Sequence, residues 1–319
     1  MHQPPLHRHS RFRRSRILIV GCGDVGLRAA QRLLPRCRVL ALTSSPERVA
    51  TLRAAGITPL RGNLDDARSL ARLATLAPRV LHLAPPPGQG VADPRTARLL
   101  QALARRGVGG AGSLRTLVYG STSGVYGDAQ GAWVDETRAV APATDRGRRR
   151  VDAERRVRAF GQRLALRHGG AATVLRIPGI YALNREGGDP RERVRKGSPV
   201  LNAADDVFTN HIHADDLARA CVLALWRARP GRALNVCDDT ELRMGEHFDL
   251  VADRFGLPRP PRLSRAEAAQ VLSPMQMSFM GESRRLHNRR MKDELGLVLR
   301  YPTVAEGLAQ LLGAGVLAL

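Results

Sequence analysis

Three glycines carry the clearest chemistry in this chain. Gly21-Cys22-Gly23-Asp24-Val25-Gly26 spells G-x-G-x-x-G, a spacing made for an anion. The first glycine permits a tight turn, the second lets backbone approach a pyrophosphate, and the third lets a helix lie close to a strand. Gly21, Gly23, Asp24, Val25 and Gly26 are therefore expected to hold the phosphates of a dinucleotide. About 20 residues further on, a carboxylate would accept the ribose 2′-hydroxyl of NAD. The chain instead reads Thr43-Ser44-Ser45-Pro46-Glu47-Arg48, with no acid at the strand end. Hydroxyls followed by an arginine suit a 2′-phosphate. Thr43, Ser45 and Arg48 are thus candidates for the adenosine end, with NADP the preferred cofactor and NAD the alternative. Ser45 before Pro46 also reads as a helix cap.

Such a cradle needs a strand, a turn and a helix in that order, and the flanking residues provide them. Ile17–Val20 is an apolar run of the length of a strand buried on both faces, and Leu27, Ala29, Ala30, Leu33 and Leu34 recur at helical spacing. Further strands are expected at Arg38–Thr43, Ile57–Leu60, Val80–Ala84, Leu114–Tyr119 and Leu234–Val236. Helices are expected at Arg48–Ala55, Pro94–Arg106, Asp215–Arg227 and Met244–Phe255. This alternation argues an α/β fold, a Rossmann-type doubly wound parallel sheet with a smaller C-terminal substrate lobe. We expect a disordered basic leader over 1–15 and a nucleotide-binding domain over 16–180, completed by about 207–237. The substrate lobe takes 181–206 and 238–319.

The 319 residues carry a net charge of +22, almost wholly arginine, since Lys196 and Lys292 are the only lysines. The arginines are spread along the chain, denser only at 8–16 and 146–158, and aromatics make up 4%. That is a poor pattern for stacking on bases, so nucleic acid is not the expected partner. No apolar run reaches membrane-spanning length. Cys22, Cys37, Cys221 and Cys237 lack C-x-x-C spacing, which suits reduced cytoplasmic thiols and no metal. A small-molecule substrate and a monomer or weak homodimer are the remaining expectations.

Gly120-Ser-Thr-Ser-Gly-Val-Tyr-Gly127 resembles the fifth-strand signature of extended short-chain dehydrogenases/reductases, the NAD(P)-dependent epimerase/dehydratase superfamily. Leu175–Tyr181, Asn210–Ala218, Ala233–Asp238 and Asn288–Gly296 follow the same family in order. The glycine spacing, in place of the usual G-x-x-G-x-x-G, resembles the atypical YeeZ-like branch. The resemblance implies Asn63 and Leu64 at the adenine edge, Ala84 and Pro85 at the nicotinamide ribose, and Pro178 and Gly179 near its ring. It implies oxidation–reduction or epimerisation of a polar, nucleotide-sugar-like substrate. That chemistry uses a hydroxyl after the fifth strand, here Thr122, and Tyr-x-x-x-Lys on the next helix. Arg146 and Arg150 stand at those two positions, and a guanidinium does not titrate near neutrality. Tyr126 and Tyr181 are the other candidate donors. The alternative is a non-catalytic NADP(H)-binding redox sensor or regulatory protein. His211 and His213 are expected to order the chain, Met275–Met280 to fill core rather than wall a substrate site, and Trp133–Glu136 to line the pocket or form a solvated loop.

Overall fold

The structure, a computed structural model, describes residues 14–104, 114–227 and 229–309. Its first half alternates as the sequence pattern predicts: β1 (Ser15–Val20), α1 (Asp24–Leu33), β2 (Cys37–Thr43), α2 (Arg48–Ala54), β3 (Thr58–Arg61), β4 (Arg79–His82), α3 (Pro94–Ala104) and β5 (Thr116–Thr122). Then come the short β6 (Trp133–Val134), the long α4 (Asp145–His168) and β7 (Ala171–Ile177). After β8 (Gly179–Tyr181) the chain builds α5 (Pro190–Arg195), β9 (Val200–Leu201), β10 (Phe208–Thr209), β11 (His211–His213), α6 (Ala214–Arg227) and β12 (Ala233–Asn235). It closes with β13 (Leu242–Arg243), α7 (Met244–Phe255), β14 (Arg262–Leu263), α8 (Arg265–Val271), α9 (Pro274–Phe279), β15 (Arg285–Leu286), α10 (Arg289–Leu295) and α11 (Val304–Leu308).

Seven parallel strands form the central sheet in the order β12-β7-β5-β4-β1-β2-β3. The apolar run of β1 is continuous because both its faces are covered. Ile17 and Ile19 join the core under α1 and α6, while Leu18 and Val20 join the one under α3 and α4. The strand order reverses at β1, with β4 on one side and β2 on the other. That is the switch point where open α/β sheets leave a crevice beyond their C-terminal strand ends.

The smaller lobe is held by two-stranded ladders, β10–β13, β8–β11, β9–β14 and β6–β15. Its apolar clusters draw on distant parts of the chain, with Tyr181, Val194, Val251 and Val304 in one and Leu201, Met244, Ala268 and Met280 in another. Among the described residues no helix is long and apolar enough to cross a membrane.

Several local expectations are corrected. Ser15 opens β1, paired with Cys37, so the leader ends sooner than residue 15; residues 1–13 and 310–319 lie outside the described residues. Ser45 does not cap α2: it begins a turn in which its carbonyl accepts from Arg48 N, and the helix starts at Arg48. The stretch at 207–210 pairs with β13 rather than with the main sheet. Within Met275–Met280, Met280 is fully buried and Met277 packs against its cluster, as core filling expects, whereas Met275 and Phe279 of α9 are exposed.

Candidate functional site

The crevice at the switch point is floored by the glycine turn. The Val20 carbonyl accepts from both Leu83 N (2.7 Å) and Ala84 N (3.0 Å), which draws the chain after β4 against the end of β1. Gly21 turns there at φ +86°, and a Cβ on it would lie 2.3 Å from Ala84 N. Gly26 sits so that a Cβ would stand 3.1 Å from the Gly21 carbonyl, whereas Gly23 has nothing within 4 Å of that point. Gly21 and Gly26 are therefore packing glycines, and Gly23 leaves backbone open at the start of α1. The amides of a helix's first turn lack partners within the helix, so this opening faces unpaired donors.

On one side of the turn lies a cavity of about 390 Å³. Thr43, Ser44, Arg48, Asn63, Leu64, Ala84 and Pro85 line it together with Gly21 and Gly23. Arg48 Nη2 donates to the Cys22 carbonyl at 2.7 Å, so α2 places the guanidinium against the glycine turn. The Thr43 hydroxyl is engaged with Ser45 backbone, accepting from its N–H at 3.2 Å. Ser44, not Ser45, forms the wall, because the turn into α2 carries Ser45 away. Cys22 also lines this side, and burial pushes its thiol up to about 11, so it stays protonated. Arg95 lines it as well, bound to Asp65 at 2.6 Å, and that hydrogen bond holds the Asp65 carboxyl below its usual range. No local motif marks Arg95, which stands on α3 while its partner lies in the loop after β3.

On the other side a cavity of about 300 Å³ continues from the same glycines and Leu83 to Gly120, Ser121, Thr122, Arg150, Ile177 and Pro178. Asp24, Val25 and Gly26 form its near wall. Gly179, expected beside Pro178, is not in this wall, which continues with Ile180; both residues pair with β11. The Thr122 hydroxyl accepts from Gly124 N at 3.2 Å, which leaves its own proton to donate. Arg150 Nη1 donates to Tyr119 Oη (3.0 Å) and to the Gly120 carbonyl (2.9 Å). Burial pushes the Tyr119 hydroxyl up to about 12.

Arg146 lies one turn before Arg150 on the same helix face. Its guanidinium covers the Phe279 ring at 4.4 Å, and no hydrogen bond or ion pair engages it among the described residues. Burial and then nearby arginines lower its affinity for a proton, with Glu282 acting the other way. Glu282 approaches Gly124 and is paired with Arg284 at 2.8 Å. Phe279 thus packs on Arg146, and Glu282 comes beside Gly124, from the segment that follows α8.

Neither candidate tyrosine reaches this cleft. Tyr126 is buried and donates to Asn235 Oδ1 at 2.8 Å, its ring lying on the Arg176 guanidinium. Burial raises its pKa, as it does that of Tyr181. Tyr181 is buried in the lobe, its hydroxyl reaching the Thr303 carbonyl at 3.4 Å. Both point off strand ends into packed layers, which a position near the rim does not reveal. Behind Ser121 runs a buried polar chain: Ser121 Oγ donates to Glu154 at 2.6 Å, and Glu154 pairs with Arg176 at 2.8 Å. His211 stacks on His247 with centroids 4.0 Å apart, and burial lowers its pKa to about 4. His213 accepts from Asp215 N. These histidines lie in the lobe seam and not at the cleft. Trp133 stacks on His287, and Glu136 accepts from Asn235 N at 2.8 Å, so that segment braces the lobe.

A family model described as NAD dependent epimerase/dehydratase family matches residues 17–237. Among solved structures, a functionally unknown conserved protein from Silicibacter pomeroyi is 30% identical with a TM-score of 0.77, covering 94% of this chain and 99% of that one. A protein from Methylobacillus flagellatus described as a putative NAD-dependent epimerase/dehydratase is 26% identical, with a TM-score of 0.67 and coverage of 94% and 98%. MoeE5, solved with UDP-glucose and NAD, is 23% identical with a TM-score of 0.68, covering 92% and 96%, and shares the fold. No curated protein matches the sequence.

Proposed function

The chain belongs to the NAD dependent epimerase/dehydratase family, and from that premise we propose that it binds a nicotinamide dinucleotide across the glycine turn, NADP(H) more tightly than NAD(H). One observation carries the reading: the two cavities share Gly21, Gly23 and Leu83, so they form one groove over the C-terminal ends of β1 and β4. The residues fit such a group. Gly23 leaves room for a diphosphate, Asn63 and Leu64 border the adenosine end, and Pro178 with Thr122 borders the other. Arg48 and Ser44 stand where a 2′-phosphate would lie, with no carboxylate in that wall.

When bound, the nicotinamide supplies a hydride acceptor or donor. The protein's part is to orient a polar substrate, of nucleotide-sugar type, against Thr122. Thr122 offers a hydroxyl proton for a hydrogen bond, and Arg146 offers an unpaired charge for an acidic group of that substrate. Arg150 fixes the end of β5 through Gly120. Among the described residues no tyrosine, histidine, cysteine or lysine lines this wall, and that favours the second reading, a protein that binds NADP(H) to sense or regulate rather than to turn over.

Calorimetric titration tests the first step. NADP(H) should bind about tenfold more tightly than NAD(H), the worth of a charge-assisted phosphate contact, and Arg48→Ala should abolish the difference. Equal affinities in the unaltered protein would remove the NADP assignment, and no binding of either would remove the cofactor reading.

A further inference from the structure

The loop 182–189, which follows β8, passes over the start of α1. It is strapped there by Arg28 of α1, which donates to Asn184 Oδ1 and to Asp215 Oδ1, both at 2.7 Å. The loop folds on itself, with Arg185 N donating to the Ala182 carbonyl and Gly188 N to the Arg185 carbonyl. A Cβ at Gly188 would lie 2.1 Å from Arg185 Nη1, so a glycine is required for the arginine to rest where it does. Arg185 thereby lines the same cavity as Gly21, Gly23 and Gly26.

Its charge is incompletely used. Arg185 Nε stands 3.3 Å from Asp24 Oδ2, yet that atom is buried and makes no hydrogen bond among the described residues, while Nη1 donates a long bond of 3.4 Å to the Ile180 carbonyl. Asp24 has a second cation, since Arg28 Nε lies 3.1 Å from it. Asp24 also opens α1, where a carboxylate occupies the end of the helix that favours negative charge. A diphosphate arriving at that end would compete with Asp24 for the same donors, and Arg185 is the partner that Asp24 can release while keeping Arg28.

We propose that Arg185 is a diphosphate latch: it rests on Asp24 in the free protein and passes to the dinucleotide's pyrophosphate on binding, closing the loop 182–189 over the groove. This rests on the cofactor reading above and adds a phosphate contact from outside the β1–α1 motif. An arginine fork suits two phosphates better than a single point charge does.

The test compares ADP-ribose, which carries the diphosphate, with adenosine, which does not. Arg185→Ala should weaken ADP-ribose and NADH about tenfold, leave adenosine affinity unchanged, and keep the melting temperature of the free protein. Arg185→Lys should recover most of the loss. Arg185→Gln, which keeps a donor without the charge, serves if the alanine variant does not fold. Unchanged ADP-ribose affinity in Arg185→Ala or Arg185→Gln would overturn the latch. Equal losses for adenosine and ADP-ribose would overturn it too, since they would mean a collapsed groove. If the unaltered protein binds neither NADH nor ADP-ribose, the cofactor reading itself falls.

Discussion

Around the glycine turn the groove is made of backbone, whereas beyond β5 it is made of arginine. On the first side a diphosphate would meet open amides, and the residues that matter are glycines, whose value lies in what they lack. On the second side Thr122 and Arg150 line the surface, with Arg146 one turn earlier on α4, and side-chain identity decides what can happen there. Binding an anion needs space and donors, which many sequences can provide. Moving a proton needs one group with a suitable pKa, and a single replacement removes it without disturbing the fold.

The largest expected effect would break this contrast. If only the proton donor is missing, Arg146→Tyr combined with Arg150→Lys should raise reduction of a carbonyl substrate by about a hundredfold, the usual contribution of general acid catalysis. Either change alone should do less, because such residues act together, and Thr122→Ala should erase the gain. Steady-state assays with NADPH give the answer. An unaltered protein that already turns over such a substrate at ordinary enzymatic rates would show that the arginine side carries its own chemistry.

A second effect concerns what supports the arginine side. Glu154→Gln would leave Arg176 buried without its counter-charge and should cost about 3–5 kcal/mol of stability in denaturant titrations. Tyr126→Phe removes the hydrogen bond to Asn235 and the hydroxyl's contact with Arg176, and should cost about 1 kcal/mol, with cofactor affinity unchanged. A loss of activity in Tyr126→Phe larger than its loss of stability would return Tyr126 to the reaction.

The smallest effect separates the whole groove from the lobe. Arginines do not titrate in the ordinary range, but the seam does. Burial holds His211 at about 4 and His247 well below its usual value. The unfolded chain therefore takes up protons that the fold refuses as pH falls below about 6.5, and stability drops toward pH 4. Burial raises Asp238 to about 8, so the fold keeps a proton that the unfolded chain loses, and that contribution fades as pH rises toward 8. Burial also lowers His82, at the end of β4, to about 3, so with three histidines against one aspartate stability should peak just above about pH 6.5. Urea titrations across this range should show both limbs, and Asp238→Asn should flatten the alkaline one and steepen the acid one.

How much of this was legible follows the same divide. The β1 strand, the glycine spacing and the alternation of strands and helices are local patterns, and each marks its own place in the sheet. Arg95 with Asp65, Arg185 with Asp24, and Ser121 with Glu154 and Arg176 join residues from separate elements, and nothing in either partner's neighbourhood announces the other. Tyr126 and Tyr181 misled because nearness to a strand end fixes a residue's height in the sheet but not the side to which its hydroxyl turns. Ser45 misled in a smaller way, since a serine before proline signals a turn as readily as a cap.

The arginine at position 150 has a consequence of another kind. Neither cavity is lined by a lysine, and the chain's two lysines, Lys196 and Lys292, lie elsewhere. A groove without a primary amine cannot condense with an aldehyde or ketone held inside it, so no imine forms between wall and ligand. Reagents that seek lysine will leave the described walls of the groove untouched.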